Sequence, residues 1–256
     1  MLHPTDEPGT TIATLANGVR VVMIDLPGVG SASVSVFVRT GSAHEGAKLN
    51  GISHVVEHMA FKGTRTRDCQ RINLDAERLG AEVNAHTDKD HTAFHMRGLA
   101  DDAPRFVRML GDIVRESTFP ADELERERRV ILHEIADDED DPLTIAFQLF
   151  DRECFGAHPA ALPVIGRRAN IERFTRDDLL GYVQRQYSGE NVVIGVAGEV
   201  GRLVDGRDAI YEAGRSYRDD RLVQQLFRNA ALIKAGAVAD CDIDVRDGEI
   251  HRRHVR

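Results

Sequence analysis

Hydrophobic and polar positions alternate over the first forty residues, the period of a strand with one covered face. TIATLANGVRVVMI (11–24) reads as two strands about Asn17-Gly18, a strong hairpin signal, and SASVSVFVRTGS (31–42) supplies a third. The period then changes. Helical spacing covers about 51–62 and 68–79, the second stopped by Gly80. Alternation returns in AEVNAHT and HTAFHMRG, a predicted strand pair, and long helices follow at about 101–116, 121–139 and 142–154, the middle one opening after Pro120. Thr175-Arg176-Asp177-Asp178 is placed to cap a helix running to about Tyr187, and NVVIGVAGEV (191–200) is a short apolar run suited to a central strand. Strands gathered in hairpins, with runs of helices between them, predict an α+β fold: an antiparallel-rich sheet flanked by helices.

The first 200 residues read as one domain, and beyond them the texture changes. RSYRDDRLVQQLFRNAALIKAG is amphipathic through Leu222, Val223, Leu226, Phe227 and Ala230, and CDIDVRDGEIHRR reads as a small hairpin about Asp247-Gly248. Residues 201–256 are therefore expected to be a divergent tail of one helix and one hairpin. Neither piece carries recognisable chemistry.

Composition narrows the function. With 256 residues, 42% hydrophobic and 29% charged, the chain buries a sizeable core. No apolar run is long enough for a membrane span, and MLHPTDEPGTT lacks the basic and apolar segments of a secretory signal, so the expected location is the cytoplasm. Cys69, Cys154 and Cys241 are odd in number, widely spaced and in no Cys-x-x-Cys pattern, so neither a disulfide framework nor a thiolate zinc site is indicated, and any metal must be held by nitrogen and oxygen. A net charge of −9, with arginines interleaved among acids, argues against nucleic acid and is compatible with a basic or unfolded peptide.

The candidate chemistry lies in HVVEHMAFKGT (54–64). On a helix, residues four apart lie about 40° apart around the axis, so His54 and His58 share a face and Glu57 sits beside them. Two imidazoles can clasp one ion there, and a carboxylate next to a coordinated water can take its proton. The competing reading is a pair of helix histidines satisfied by solvent or carbonyls. A third ligand is needed to decide.

His-x-x-Glu-His is the inverzincin signature, and HVVEHMAFKGT resembles the active-site helix of the pitrilysin or insulinase family of zinc peptidases, which includes the mitochondrial processing peptidases. In that family the third ligand is a glutamate well downstream, with another glutamate seven residues before it. Glu134, 76 residues after His58, and Glu127, seven before Glu134, match those places. Seven residues is close to two helical turns, so the two carboxylates share one face. The resemblance implies that His54, His58 and Glu134 bind one Zn²⁺ per chain, that Glu57 deprotonates the water, and that Glu127 orients a ligand histidine.

The likeness extends from about residue 10 to about 200. LGAEVNAHTDKDHTAFHM resembles the family's strand pair beside the metal, which gives Asn84, Ala85 and His86 the role of holding an extended peptide at a strand edge. His86, His91 and His95 are alternative ligand candidates. His91 and His95, four apart on a strand, span about 13 Å and cannot share an ion, so all three are read as structural or substrate-wall residues. HPAALPVIGRRANI departs from the family pattern at Ala160-Ala161. Members usually carry a further domain of similar fold that closes a chamber over the metal, and residues after Val200 do not resemble it.

The expectation is a zinc endopeptidase acting on unfolded peptides, completed by a second copy or by a non-catalytic family partner. Two alternatives stay open: a peptide-binding or regulatory module that turns nothing over, and the truncated product of a longer peptidase gene.

Overall fold

The computed structural model describes residues 9–200 and, beyond these, the short strands Leu2–Pro4, Ile243–Arg246 and Glu249–Arg252. In chain order the strands are β1 (Leu2–Pro4), β2 (Thr10–Thr14), β3 (Arg20–Asp25), β4 (Ser31–Val38), β5 (Glu82–Thr87), β6 (Thr92–Leu99), β7 (Val192–Gly198), β8 (Ile243–Arg246) and β9 (Glu249–Arg252). Seven of them form one sheet in the order β1-β2-β3-β7-β4-β6-β5. Every neighbouring pair is antiparallel except β3 and β7. The α+β, antiparallel-rich reading of the sequence is the observed fold.

Local chemistry explains the elements. The β2–β3 hairpin turns through Gly18, whose φ of 89° is unfavourable for any side chain, while the Asn17 side chain accepts a hydrogen bond from the Val19 N–H. Along β4, Ala32, Val34, Val36 and Val38 point into the core and the serines between them point out. The apolar run at 192–198 is the middle strand of the seven, as its composition predicts. β8 pairs antiparallel with β9; the tail helix expected around Leu222–Ala230 and the Asp247-Gly248 turn lie outside the described residues.

Among the described residues seven α-helices accompany the sheet: α1 (Ile52–Ala60), α2 (Cys69–Arg78), α3 (Ala103–Glu116), α4 (Ala121–Asp140), α5 (Pro142–Phe155), α6 (Arg168–Ile171) and α7 (Arg176–Gln186). At the start of α7, Thr175 and Asp178 close the capping box that their spacing predicts. Two apolar cores result. One lies between the inner sheet face and α2 and α3, around Val34, Phe94, Phe106 and Leu110. The other joins α1, α4, α6 and α7 around Ile52, Met59, Ile131 and Tyr182. Helix α1 belongs to both, because Ala60 packs in the first core while Ile52, Val55, Val56 and Met59 pack in the second. A helix gripped from two sides is a rigid platform for side chains on its remaining face.

Candidate metal centre

Helix α1 has no side-chain cap of its own. Its N-cap, Gly51, is left-handed at φ 98°, and a Cβ there would stand 2.7 Å from the Gly166 Cα, so only glycine fits. The capping group comes from a distance: the buried Glu45 carboxylate accepts the Gly51 N–H at 2.7 Å and the Ser53 N–H at 2.8 Å. Ser53 Oγ also meets the Tyr182 hydroxyl at 2.8 Å, and that hydroxyl meets Thr40 Oγ1 at 2.6 Å. The start of the helix is thus fixed in translation and rotation.

This fixing aims His54 and His58 at one point. Their rings meet edge to face with centroids 4.5 Å apart and Nε2 atoms 3.2 Å apart. Helix α4 crosses beside them with Leu124, Glu127, Ile131 and Ile135 buried, which brings Glu134 Oε2 to 3.9 Å from His54 Nε2 and 3.7 Å from His58 Nε2. Four Zn²⁺ ligands at bonds near 2.0–2.1 Å stand about 3.3 Å from one another in a tetrahedron. The three donor atoms here form a triangle with sides of 3.2, 3.7 and 3.9 Å, which fits an ion of that size with its fourth position open.

The surroundings agree with that donor set. Glu127 Oε2 lies 3.0 Å from His58 Nδ1, so the ring donates there and leaves its Nε2 lone pair facing the centre. The other Glu127 oxygen receives Lys62 Nζ at 2.7 Å. His54 Nδ1 is buried, directed at the Ile165 carbonyl without a full hydrogen bond. Burial, reinforced by the neighbouring His58, pushes His54 down to about 4, which keeps it neutral and able to ligate. Burial raises Glu134, and the negative charges of Glu127, Glu57 and Asp138 add to the rise against the pull of His58. A cation would relieve that crowding of carboxylates. Glu57 is half-buried, and among the described residues no hydrogen bond or ion pair holds its carboxylate.

The substrate-edge residues lie on β5, which packs against α1. That strand ends the sheet and has an unpaired edge among the described residues. Asn84 and His86 are exposed, Ala85 is half-buried, and Asn84 Oδ1 accepts the Ala85 N–H at 2.9 Å. His91 precedes β6 rather than lying in it, and it converges not on His95 but on His86, their Nε2 atoms 3.1 Å apart. The sequence reading, which placed all three among structural or substrate-wall residues, had not paired His86 with His91.

A family model described as Insulinase (Peptidase family M16) matches residues 20–168, a span that contains the triangle and the strand edge. The chain belongs to this family. Among M16 relatives, YmxG of Bacillus subtilis, named an uncharacterized zinc protease, is 37% identical over 187 residues, covering 73% of this chain and 46% of its own. The beta subunit of the mitochondrial-processing peptidase of Saccharomyces cerevisiae is 35% identical over 193 residues, covering 75% and 42%. Among solved structures, an M16 peptidase inactive domain from Pseudomonas fluorescens superposes with a TM-score of 0.72 at 22% identity, covering 86% of this chain and 50% of that one. The chain spans about half the length of these relatives.

Two supporting residues escaped sequence reasoning. Lys62 follows His58 by one turn, a spacing that hints at a shared face, although its partner Glu127 is 65 positions further on. Glu45 leaves no sequence signal, because it caps α1 from an irregular segment outside the helix.

Proposed function

We propose that this chain is the catalytic half of a zinc endopeptidase acting on unfolded peptides. The observation that carries the reading is the triangle of His54 Nε2, His58 Nε2 and Glu134 Oε2, with an unheld Glu57 carboxylate on the same helix face. In the proposal these three residues hold Zn²⁺, which when bound supplies a Lewis acid and an acidified water. Glu57 takes up the water proton and returns it to the departing amine. Glu127 fixes the tautomer and plane of His58, and Lys62 fixes Glu127. The β5 edge offers the N–H and C=O groups of Asn84, Ala85 and His86 to an extended peptide, which adds as a further strand.

Helix α5 supports the idea of a second half. It buries no residue, and Leu143, Phe147 and Phe150, at 64%, 63% and 63% exposure, form one stripe at i, i+4, i+7. A second copy or a non-catalytic M16 partner covers this stripe and closes the cleft over the peptide. Among the described residues no helix is long and apolar enough to cross a membrane, and a cytoplasmic setting is part of the proposal.

A non-catalytic peptide-binding module is the second reading, favoured by the inactive description of the Pseudomonas domain with the same fold. One experiment separates them: hydrolysis of an internally quenched unfolded peptide, alongside zinc content, in wild type and Glu57→Gln. The proposal expects zinc retained and hydrolysis lost in the variant. Hydrolysis surviving in Glu57→Gln, or absent in zinc-loaded wild type at every concentration and with every family partner tried, sinks it.

A further inference from the structure

The hairpin of β5 and β6 repeats, with other residues, the arrangement that prepares His58. There, a carboxylate holds Nδ1 and turns Nε2 toward a second imidazole: Glu127 at 3.0 Å, then His54 at 3.2 Å. In the hairpin Asp90 Oδ1 lies 2.6 Å from His91 Nδ1, and His91 Nε2 faces His86 Nε2 at 3.1 Å. The carboxylate fixes the tautomer that leaves a lone pair on the inner nitrogen, the form a metal ligand needs. The rings of His86 and His91 stand nearly perpendicular, and His95 lies 6.0 Å from His86 between centroids. Asp88, Asp90 and His91 bring ligand atoms within 4.8 Å of one another, a grouping that does not extend to His86.

The turn carrying Asp90 and His91 is held, not loose. Lys89 Nζ reaches Asp151 Oδ2 at 2.8 Å and the Ala160 carbonyl at 2.7 Å, and the Ala43 N–H donates to the Lys89 carbonyl at 2.7 Å. Asp88 N–H donates to the His91 carbonyl at 2.8 Å, and Gly41 lies so close beneath the turn that a Cβ there would overlap the Asp88 carbonyl. The backbone that carries His91 is therefore fixed, and Asp90 fixes its ring.

We propose that His86 and His91, buttressed by Asp90, form a second site for a divalent transition metal such as Zn²⁺ or Ni²⁺. Nitrogen donors select these ions over Mg²⁺ and Ca²⁺, which prefer oxygen. Two protein ligands and solvent hold an ion less tightly than two histidines and a carboxylate, so this is a weak, exchangeable site beside the strand edge. It requires neither the triangle nor any peptidase activity.

Calorimetric titration of Zn²⁺ into the metal-free full-length protein tests this, with Mg²⁺ as the control ion. Wild type is expected to bind about two Zn²⁺, one tightly and one weakly, while His86→Ala and His91→Ala keep the tight class and lose the weak one. Asp90→Asn is expected to weaken the weak class by about 10- to 100-fold without touching the tight one. The retained tight class reports that the variants fold. A weak class that persists in both histidine variants comes from scattered surface groups and overturns the proposal, as does a single class abolished by His58→Ala alone. A single class lost in His91→Ala and kept in His58→Ala upholds this site and refutes the zinc triangle instead.

Discussion

Replacing Glu127 with alanine removes one carboxylate that serves two neighbours. Its Oε2 holds His58 Nδ1 at 3.0 Å and its Oε1 holds Lys62 Nζ at 2.7 Å, in a position where Glu127 is only 8% exposed. The variant leaves His58 free to rotate and to change tautomer, and leaves the Lys62 ammonium unpaired beside the cation site. Loss of such a supporting partner costs about 10- to 100-fold in metal affinity, or about 1.4–2.7 kcal/mol. The exposed positive charge places Glu127→Ala toward the upper end. Lys62→Met removes only the outer link, so its expected loss is under about tenfold. Glu127→Gln lies between the two, because the amide still accepts from His58 but its NH₂ faces the Lys62 ammonium, donor against donor. Competition against a chromophoric zinc chelator gives the three affinities, with thermal unfolding as a control for fold. The reasoning is refuted if Glu127→Ala is as damaging as Glu134→Ala, which would make Glu127 a ligand, or if affinity is unchanged.

Two further outcomes follow from the same geometry. His54 is held near 4, so the folded metal-free protein excludes a proton that the unfolded chain accepts near 6.5; stability from this group is present above pH 6.5 and lost as pH falls toward 4, by up to about 3 kcal/mol. Urea unfolding across that window should show the decline in wild type and a shallower one in His54→Gln, and identical profiles would count against it. On α5, Phe147→Ser with Phe150→Ser should change unfolding stability little, since both rings are exposed, yet shift sedimentation toward the monomer and lower hydrolysis per chain; unaltered assembly would place the pairing surface elsewhere.

The elements and the shared faces of each residue pair were legible because they rest on short-range periodicity, whereas the joining of Glu134 to the two histidines was implied only by the family resemblance. His54 and His58 share a face at four residues' spacing, and Glu127 and Glu134 at seven, whatever the rest of the chain does. What stayed hidden depends on register or on covering. The parallel contact of β3 with β7 joins residues far apart in sequence, and local alternation says nothing about strand direction. His86 and His91 meet only because Thr87 pairs with Thr92, which sets them diagonally across the hairpin. Helix α5 was read as a helix, but its apolar pattern could not reveal that Leu143, Phe147 and Phe150 would remain uncovered. Glu45, for its part, acts through a turn rather than a repeat.

The placement of α1 accounts for the precision of the centre. Its first turn is tied to Glu45 and Tyr182, and its last carbonyl, that of Ala60, accepts the Ser117 hydroxyl at 2.9 Å at the end of α3. One side packs into the helical core and the C-terminal residue into the sheet core, so displacement of either core is transmitted to His54 and His58. Glu134, on α4, is positioned by Leu124, Ile131 and Ile135 of the helical core and by Arg128, which donates to the Ile171 and Phe174 carbonyls. The three donor atoms, 3.2–3.9 Å apart, are thus placed by apolar packing together with the hydrogen bonds of Glu45, Tyr182, Ser117 and Glu127, and the same placement sets the Glu57, Glu127 and Glu134 charges near one another. In the proposed function a cation therefore offsets a crowding of carboxylates that the packing of α1 and α4 imposes.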